Sequence, residues 1–215
     1  IVKWIFGLIN QNGIEQTAVL IYGVGESANL TYNAVQNKYK VLAFVDDKNA
    51  GINLLDIPII SGLSDISHPC QIMSDILTYE ESNGTIEGKT IAWLGDGNNN
   101  MSNSLIEAAG KFSFNLKIAC PKKYSPNKKI LSWAKKNKVK INYLNGDYTF
   151  FDQQNLQFDC IALIFAHVPP HLRTKQHELV YKWLKTNGSL ILQGFSKAQL
   201  GNPSGGPQNI DMLFN

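Results

Sequence analysis

Short runs rich in β-branched and aromatic residues alternate along this chain with longer stretches in which apolar residues return every three or four positions. The short runs predict strands at Ala18–Tyr22, Lys40–Val45, Ile57–Ile60, Thr90–Leu94, Leu116–Cys120, Val139–Tyr143, Asp159–Phe165 and Ser189–Gly194. The longer stretches predict helices at Ser27–Gln36, Pro69–Glu81, Ser102–Lys111, Pro126–Lys136 and Pro170–Lys185. Several strand runs, such as Ile161-Ala162-Leu163-Ile164-Phe165, are apolar at every position. Strands covered on both faces read this way, whereas a half-solvated strand alternates. The pattern therefore predicts an α/β fold, Rossmann-like, with three α/β/α layers and a mostly parallel sheet. No internal repeat and no Pro/Gly-rich linker interrupts it, so residues 1–215 are expected to form a single α/β domain.

Composition narrows the class. Hydrophobic residues make up 44% of the 215 residues and charged ones 17%, which is ordinary for a globular protein. No apolar run approaches the roughly 18 residues of a membrane helix, so no membrane partner is expected. The apolar start, Ile1 to Ile9, is short and lacks a small-residue cleavage site, which argues against a signal peptide. With Ile rather than Met at position 1, the sequence reads as a piece of a longer product. The three cysteines, Cys70, Cys120 and Cys160, form no C-x-x-C pair. That predicts a cytoplasmic protein with no disulfide framework and no metal site.

The net charge of +3 is unevenly spread. Ten lysines lie between Lys111 and Lys140, and no Asp or Glu occurs from Ala108 to Gly146. A stretch of this kind fits an anion or nucleic-acid surface, and it also fits a solvated helix face; the second is the expectation here, without nucleic acid. Arg173 is the one arginine.

Three stretches carry chemistry. In the first, Val19-Leu20-Ile21-Tyr22 runs into Gly23-Val24-Gly25-Glu26-Ser27-Ala28, a G-x-G-x-x-A turn between a strand and a helix. The next strand ends at Asp46-Asp47. Gly23 permits the tight turn, Gly25 leaves room for a pyrophosphate, Ala28 allows close helix packing, and Asp46 is placed to bind ribose hydroxyls. Gly23, Gly25, Ala28 and Asp46 are thus the cofactor-binding candidates, for NAD or S-adenosylmethionine; a plain turn without ligand fits the same letters. Residues 18–47 resemble the Rossmann unit of nucleotide-sugar epimerases and dehydratases of polysaccharide biosynthesis. That superfamily's Tyr-x-x-x-Lys is absent: Gln36 and Ala43 stand four residues after Tyr32 and Tyr39.

The second stretch combines His68-Pro69-Cys70-Gln71 with Gly95-Asp96-Gly97-Asn98-Asn99-Asn100-Met101-Ser102-Asn103-Ser104. Together with Leu116-Lys117-Ile118-Ala119-Cys120-Pro121, it resembles ornithine carbamoyltransferase. The resemblance implies that His68 and Gln71 contact the carbamoyl group of carbamoyl phosphate. It makes Asn99 and Asn100 the substrate-binding candidates, with Asn100 toward ornithine. A neutral imidazole N–H and a carboxamide can polarise a carbonyl under attack by an amine. The same residues also suit capping: Pro69 is well placed at a helix start, and the asparagines suit a helix N-terminus. The family's Ser-Thr-Arg-Thr-Arg phosphate motif does not occur here, nor do its later Ser-Met-Gly and His-Cys-Leu-Pro motifs.

The third stretch, from Phe158-Asp159-Cys160 through the Asn187-Gly188 turn to Gly206-Pro207 and Asp211-Met212-Leu213-Phe214, resembles the C-terminal half of class I S-adenosylmethionine-dependent methyltransferases. The resemblance implies that Ala166-His167 lies near a methyl donor. His167, His171 and His177 are spaced as surface residues rather than as a metal set.

The chain therefore reads as a mosaic with segments 1–51, 52–138 and 139–215. The leading expectation is an ornithine carbamoyltransferase-like protein with an incomplete, inactive site. A nucleotide- or S-adenosylmethionine-binding module and a folded scaffold without activity are the alternatives.

Overall fold

The computed structural model describes residues 5–8, 17–25, 27–146, 157–202 and 206–214. Glu26 of the glycine turn and the first four residues lie outside that set. The chain divides into two compact units, Ile1–Gln71 and Ile72–Asn215, each with its own sheet. The α/β class holds, but the alternation that predicts one sheet is distributed over two.

In the first unit, five strands run β1 (Ile5–Leu8), β2 (Thr17–Tyr22), β3 (Tyr39–Asp46), β4 (Asn53–Leu54) and β5 (Ile57–Ser61), with helix α1 (Ser27–Val35) after β2. Their order is β1-β2-β3-β5-β4. The three inner strands are parallel, and each edge strand is antiparallel to its neighbour. The core is small: Ile21, Ala28, Phe44 and Ile59 are buried together, with Tyr32 tilted against Phe44 at 6.4 Å between ring centroids. β5 carries the Ile57-Pro58-Ile59-Ile60 run and pairs with β3, so the first unit extends past residue 51, where the sequence places a segment boundary.

The second unit begins within helix α2 (Pro69–Asn83) and continues β6 (Thr90–Leu94), α3 (Asn100–Lys111), β7 (Asn115–Cys120), α4 (Lys128–Lys136), β8 (Ile141–Asn145), β9 (Phe158–Ile164), α5 (Pro170–Trp183) and β10 (Leu184–Gln193). The strand order is β10-β9-β6-β7-β8, and every pair is parallel. Chain direction across the sheet thus reverses between β6 and β9, as in a doubly wound fold. One face carries Ile91, Trp93, Leu116, Ile118, Cys160, Ala162 and Ile164 against α2, α3 and α4. The other carries Ala92, Leu94, Ile161 and Leu163 against Val180 and Trp183 of α5. Burial on both faces explains the unbroken apolar runs of β6 and β9.

Element ends follow local chemistry. α4 starts at Lys128 rather than at the expected Pro126, because the Asn127 side chain accepts from the N–H groups of Lys129 and Ile130. α5 stops at Trp183 and the chain enters β10 directly. The register against β9 slips between Leu184 and Ser189, with Asn187 at φ 65°. A Cβ on Gly188 would meet Lys185 O at 3.0 Å and Phe158 O at 3.1 Å, so the predicted Asn-Gly turn survives as an irregularity inside a strand.

Asp159 ties three strands at their amino ends. Its Oδ2 accepts from the Thr90 N–H at 2.9 Å and from Lys185 Nζ at 2.8 Å. Burial pushes this carboxyl up, but the bonds from Lys185 and Thr90 outweigh burial and hold it below the usual carboxylate range. A carboxyl lowered on folding stabilises above its unfolded value, near 3.9, and loses that contribution as pH falls through its folded value. Lys185 is half-exposed, so solvent screens part of its contribution, while the Thr90 bond lies at the partly buried strand end. Asp159→Asn is expected to cost about 1–2 kcal/mol at pH 7, with the gap from the parent chain closing below about pH 4 in thermal melts. A gap independent of pH would show that the charge is not involved.

Candidate functional site

In parallel sheets the loops at the carboxyl ends of strands meet ligands. Several such loops are fastened in one way: the N–H after a strand donates to the last part of the neighbouring strand, as Phe165 N–H does to Gln193 O at 2.8 Å. Gly23 N–H donates to Val45 O at 2.7 Å, Gly95 N–H to Ala119 O at 3.1 Å, and Gly146 N–H to Cys120 O at 2.9 Å.

The glycine turn of the first unit has the shape the sequence predicts. Gly23 has φ +95°, Ala28 is buried, and the Ala28 N–H donates to Gly25 O at 2.8 Å. A Cβ at Gly23 or Gly25 would meet nothing within 4 Å, so only the backbone of Gly23 demands glycine. Asp46 is turned toward its own loops. Its Oδ1 accepts from the N–H groups of Lys48 and Asn49 and from Asn49 Nδ2 at 2.9–3.0 Å, and the Val24 N–H adds a fourth bond. Burial raises this carboxyl, but the four donors hold it below its usual range. A carboxylate has about four acceptor positions, so Asp46 is largely spent on holding the turn. Next to it, Asp47 Oδ1 accepts from Tyr22 Oη at 2.9 Å and from the Leu63 N–H at 2.8 Å; these bonds push the Tyr22 hydroxyl up.

His68 immediately precedes α2, with Pro69 as the first helical residue. Its Nδ1 lies 2.5 Å from Gly62 O. A carbonyl can only accept, so Nδ1 carries the proton, and in the neutral ring Nε2 then holds a lone pair. Cys70 Sγ donates to Ser61 O at 3.4 Å, and burial raises its thiol. Gln71 lies in the first turn of α2. His68 and Gln71 belong to the first unit, and Asn99 and Asn100 to the second.

The loop from Gly95 to Asn99 follows β6 and leads into α3, at the strand-order reversal of the second sheet. Gly95 takes φ +139°, and a Cβ on Gly97 would meet Tyr124 O at 3.0 Å and Cys120 Sγ at 3.1 Å. Trp93 Nε1 donates to Asp96 O at 2.9 Å, and Asp96 Oδ1 accepts from the Asn98 N–H at 2.7 Å. Asn99 is the helix cap: its Oδ1 accepts from the Ser102 N–H at 2.8 Å, its Nδ2 donates to Asp96 O, and Ser102 Oγ completes a capping box. Both ends of the Asn99 amide are therefore engaged in the loop. Asn100 is the first residue of α3 and is half-buried.

Sequence reasoning gives His167 a place near a ligand or on the surface; here it is a clamp. Its Nδ1 donates to Met212 O at 2.8 Å and its Nε2 accepts from the Phe195 N–H at 3.0 Å. Arg173 Nη2 donates to Asp211 O, and its guanidinium lies 4.9 Å from the Phe214 ring centre. Phe165, at φ 51°, stacks on Phe195 at 4.7 Å. These groups hold the last residues, 209–214, over the carboxyl ends of β9 and β10. His171 and His177 are exposed, and no group of three or more metal-binding side chains occurs among the described residues. Burial pushes the Cys160 thiol up to about 12, so it is inert.

Fold and loop define the second unit as a doubly wound α/β domain whose first glycine-rich loop stands at the switch in strand order. Residues 87–176 match the family model for the aspartate/ornithine carbamoyltransferase, Asp/Orn binding domain, and that stretch of the chain is similar to it. The match runs past residue 138, through β8 and β9 into α5, over part of the stretch that the sequence reading assigns to a methyltransferase. An ornithine carbamoyltransferase from Brucella ovis is 54% identical over 81 residues, which cover 38% of this chain and 26% of that protein. One from Mesorhizobium japonicum is 44% identical over 106 residues, 49% of this chain and 33% of that protein. The chain therefore spans a quarter to a third of the length of these relatives. The solved ornithine carbamoyltransferase from Gloeobacter violaceus superposes with a TM-score of 0.54 at 18% identity, covering 82% of this chain and 72% of that one. The mitochondrial enzyme from Coccidioides immitis gives 0.51 at 22%, covering 90% and 62%. At such identities these two likenesses establish the fold alone.

Two substitutions separate fold from chemistry here. Asn99→Ala is expected to cost about 1 kcal/mol in denaturant unfolding, and Asn99→Ser to restore most of it, because either side chain can cap; equal losses would argue against capping. Asp46→Ala is expected to lower the melting temperature whether or not NAD or S-adenosylmethionine is present. An unchanged melting temperature without ligand would mean that Asp46 does not hold the turn.

Proposed function

We propose that the second unit supplies the amino-acid-binding half of a carbamoyltransferase site, with ornithine as its ligand, and that these 215 residues do not complete carbamoyl transfer by themselves. The observation that carries this reading is the position of the Gly95–Asn100 loop at the carboxyl end of β6, where the strand order reverses. Crevices of that kind receive ligands in open α/β sheets. Gly95, Asp96 and Asn99 bond within the loop, and Asn100, at the first turn of α3, is the residue that the resemblance to ornithine carbamoyltransferase assigns to the ligand. A carboxamide there can bond an amino acid's α-groups without adding charge.

The second half of the proposal rests on the phosphate. Carbamoyl phosphate is a dianion, and arginine is the side chain best suited to grip it in two places. Arg173 is the chain's one arginine, and its Nη2 and ring face are occupied by Asp211 O and Phe214. His68, with its proton on Nδ1 toward Gly62 O, presents a lone pair rather than a donor unless it is protonated. Calorimetric titration with ornithine is expected to show one saturable site, weakened about tenfold or more by Asn100→Ala. With ornithine and carbamoyl phosphate together, citrulline is expected to stay at the uncatalysed level. Citrulline formation that His68→Ala removes would overturn the claim of inactivity, and the absence of ornithine binding would overturn the claim of a half-site.

A further inference from the structure

The lysine-rich stretch is not one surface. Lys128, Lys129, Lys135 and Lys136 ride on α4, and all four are exposed on a solvated helix in the way the sequence predicts. Lys117 and Lys140 belong to the sheet. β6, β7 and β8 begin at neighbouring positions: Thr90 stands opposite Asn115, Ala92 opposite Lys117, and Lys117 opposite Asn142. Lys140 directly precedes β8, and its carbonyl accepts from the Leu116 N–H. Side chains two apart on a strand share a face, so Thr90, Asn115, Lys117, Lys140 and Asn142 gather at the amino edge of the sheet. They line an open pocket of about 230 Å³. A single water needs only about 10–15 Å³, so the space admits a ligand of many atoms.

We propose that this pocket binds a small polyphosphate-bearing anion. Four features point to that class. Lys117 is half-buried, and its ammonium lies 5.6 Å from the centre of the Phe158 ring, so its long stem is already ordered. Fixing such a stem is otherwise a main cost of binding through lysine. The acid at the same end of β9, Asp159, has its Oδ2 committed to Lys185 and Thr90, and no acid occurs from Ala108 to Gly146. Two lysines, Lys117 and Lys140, therefore line the pocket, and among the described residues no ion pair joins either to a carboxylate. Asn115 is held as a wall, its Nδ2 donating toward Gly88 O and Lys89 O, while the Thr90 hydroxyl and the Asn142 carboxamide supply polar groups at the rim. Lysine acts on phosphate as a point charge, so two of them favour an anion carrying several charges over a single carboxylate.

Calorimetry of the whole chain with sodium tripolyphosphate at low salt tests this. The expected result is one saturable site per chain. Lys140→Gln and Lys117→Met, which keeps the stem over Phe158, should each weaken it about tenfold. Lys135→Gln, on exposed α4, should change it less than twofold, and melting temperatures should confirm that each variant is folded. No saturable binding by the parent chain would overturn the proposal. So would equal weakening by Lys135→Gln, which would mark a diffuse field. Binding of a single-stranded RNA that depends on Lys117 while tripolyphosphate fails would replace the small ligand with nucleic acid.

Discussion

The second unit depends on a strand five residues long. β6 must pair in parallel with β9 on one side and β7 on the other, and four of its five residues must be buried. A parallel strand in that position has no solvent face on which to spend a polar side chain. Trp93 therefore turns its one polar atom along the sheet to the Asp96 carbonyl, and the loop that follows is pinned at its first peptide. The amino end is pinned by a carboxylate outside the strand, Asp159, which takes the Thr90 N–H that opens β6. Both ends of the central strand are thus fixed by groups that are not part of the ladder.

The first unit is built on a narrower base. Its described core clusters Ile21, Ala28, Phe44 and Ile59, with Ala18, Val19, Ala43 and Val45 also buried, where the second unit has some twenty buried residues in one cluster alone. With so little apolar burial available, polar bonding takes a larger share of the order: Asp46 gathers four donors around the glycine turn and Asp47 links Tyr22 to Leu63. Asp46, the acid that a sequence reading offers to a cofactor, bonds to its own loop in this arrangement, and the reason is local. An acid at the end of a strand, followed by Lys48-Asn49, finds backbone donors two and three residues on before it finds any ligand.

What the sequence reveals and what it hides divide along the same line. Strand positions are legible because burial on both faces leaves runs without polar letters, as in Ile91–Leu94 of β6 and Cys160–Ile164 of β9. The allocation of strands to sheets is not, since β5 and β6 are alike in composition yet lie in different sheets. Periodicity reports which residues are buried and not what covers them. Among the site residues, Gly23 and Ala28 stand as the turn pattern predicts. The protonated nitrogen of His68 was invisible, because it is set by the carbonyl of Gly62, whose role no side-chain pattern encodes. The clamp on residues 209–214 was invisible for a similar reason: His167 meets Met212 and Phe195 through backbone atoms.

The capping role of Asn99 has a consequence beyond this chain's chemistry. Five positions between Gly95 and Ser102 serve the closing of the loop: a positive φ at Gly95, no room for a side chain at Gly97, an acceptor at Asp96, a cap at Asn99 and its reciprocal hydroxyl at Ser102. A polypeptide under selection only to fold would keep those letters after every reaction had been lost. Likeness across this segment is therefore a record of architectural descent, and the history of a catalyst is written in the residues the loop can spare.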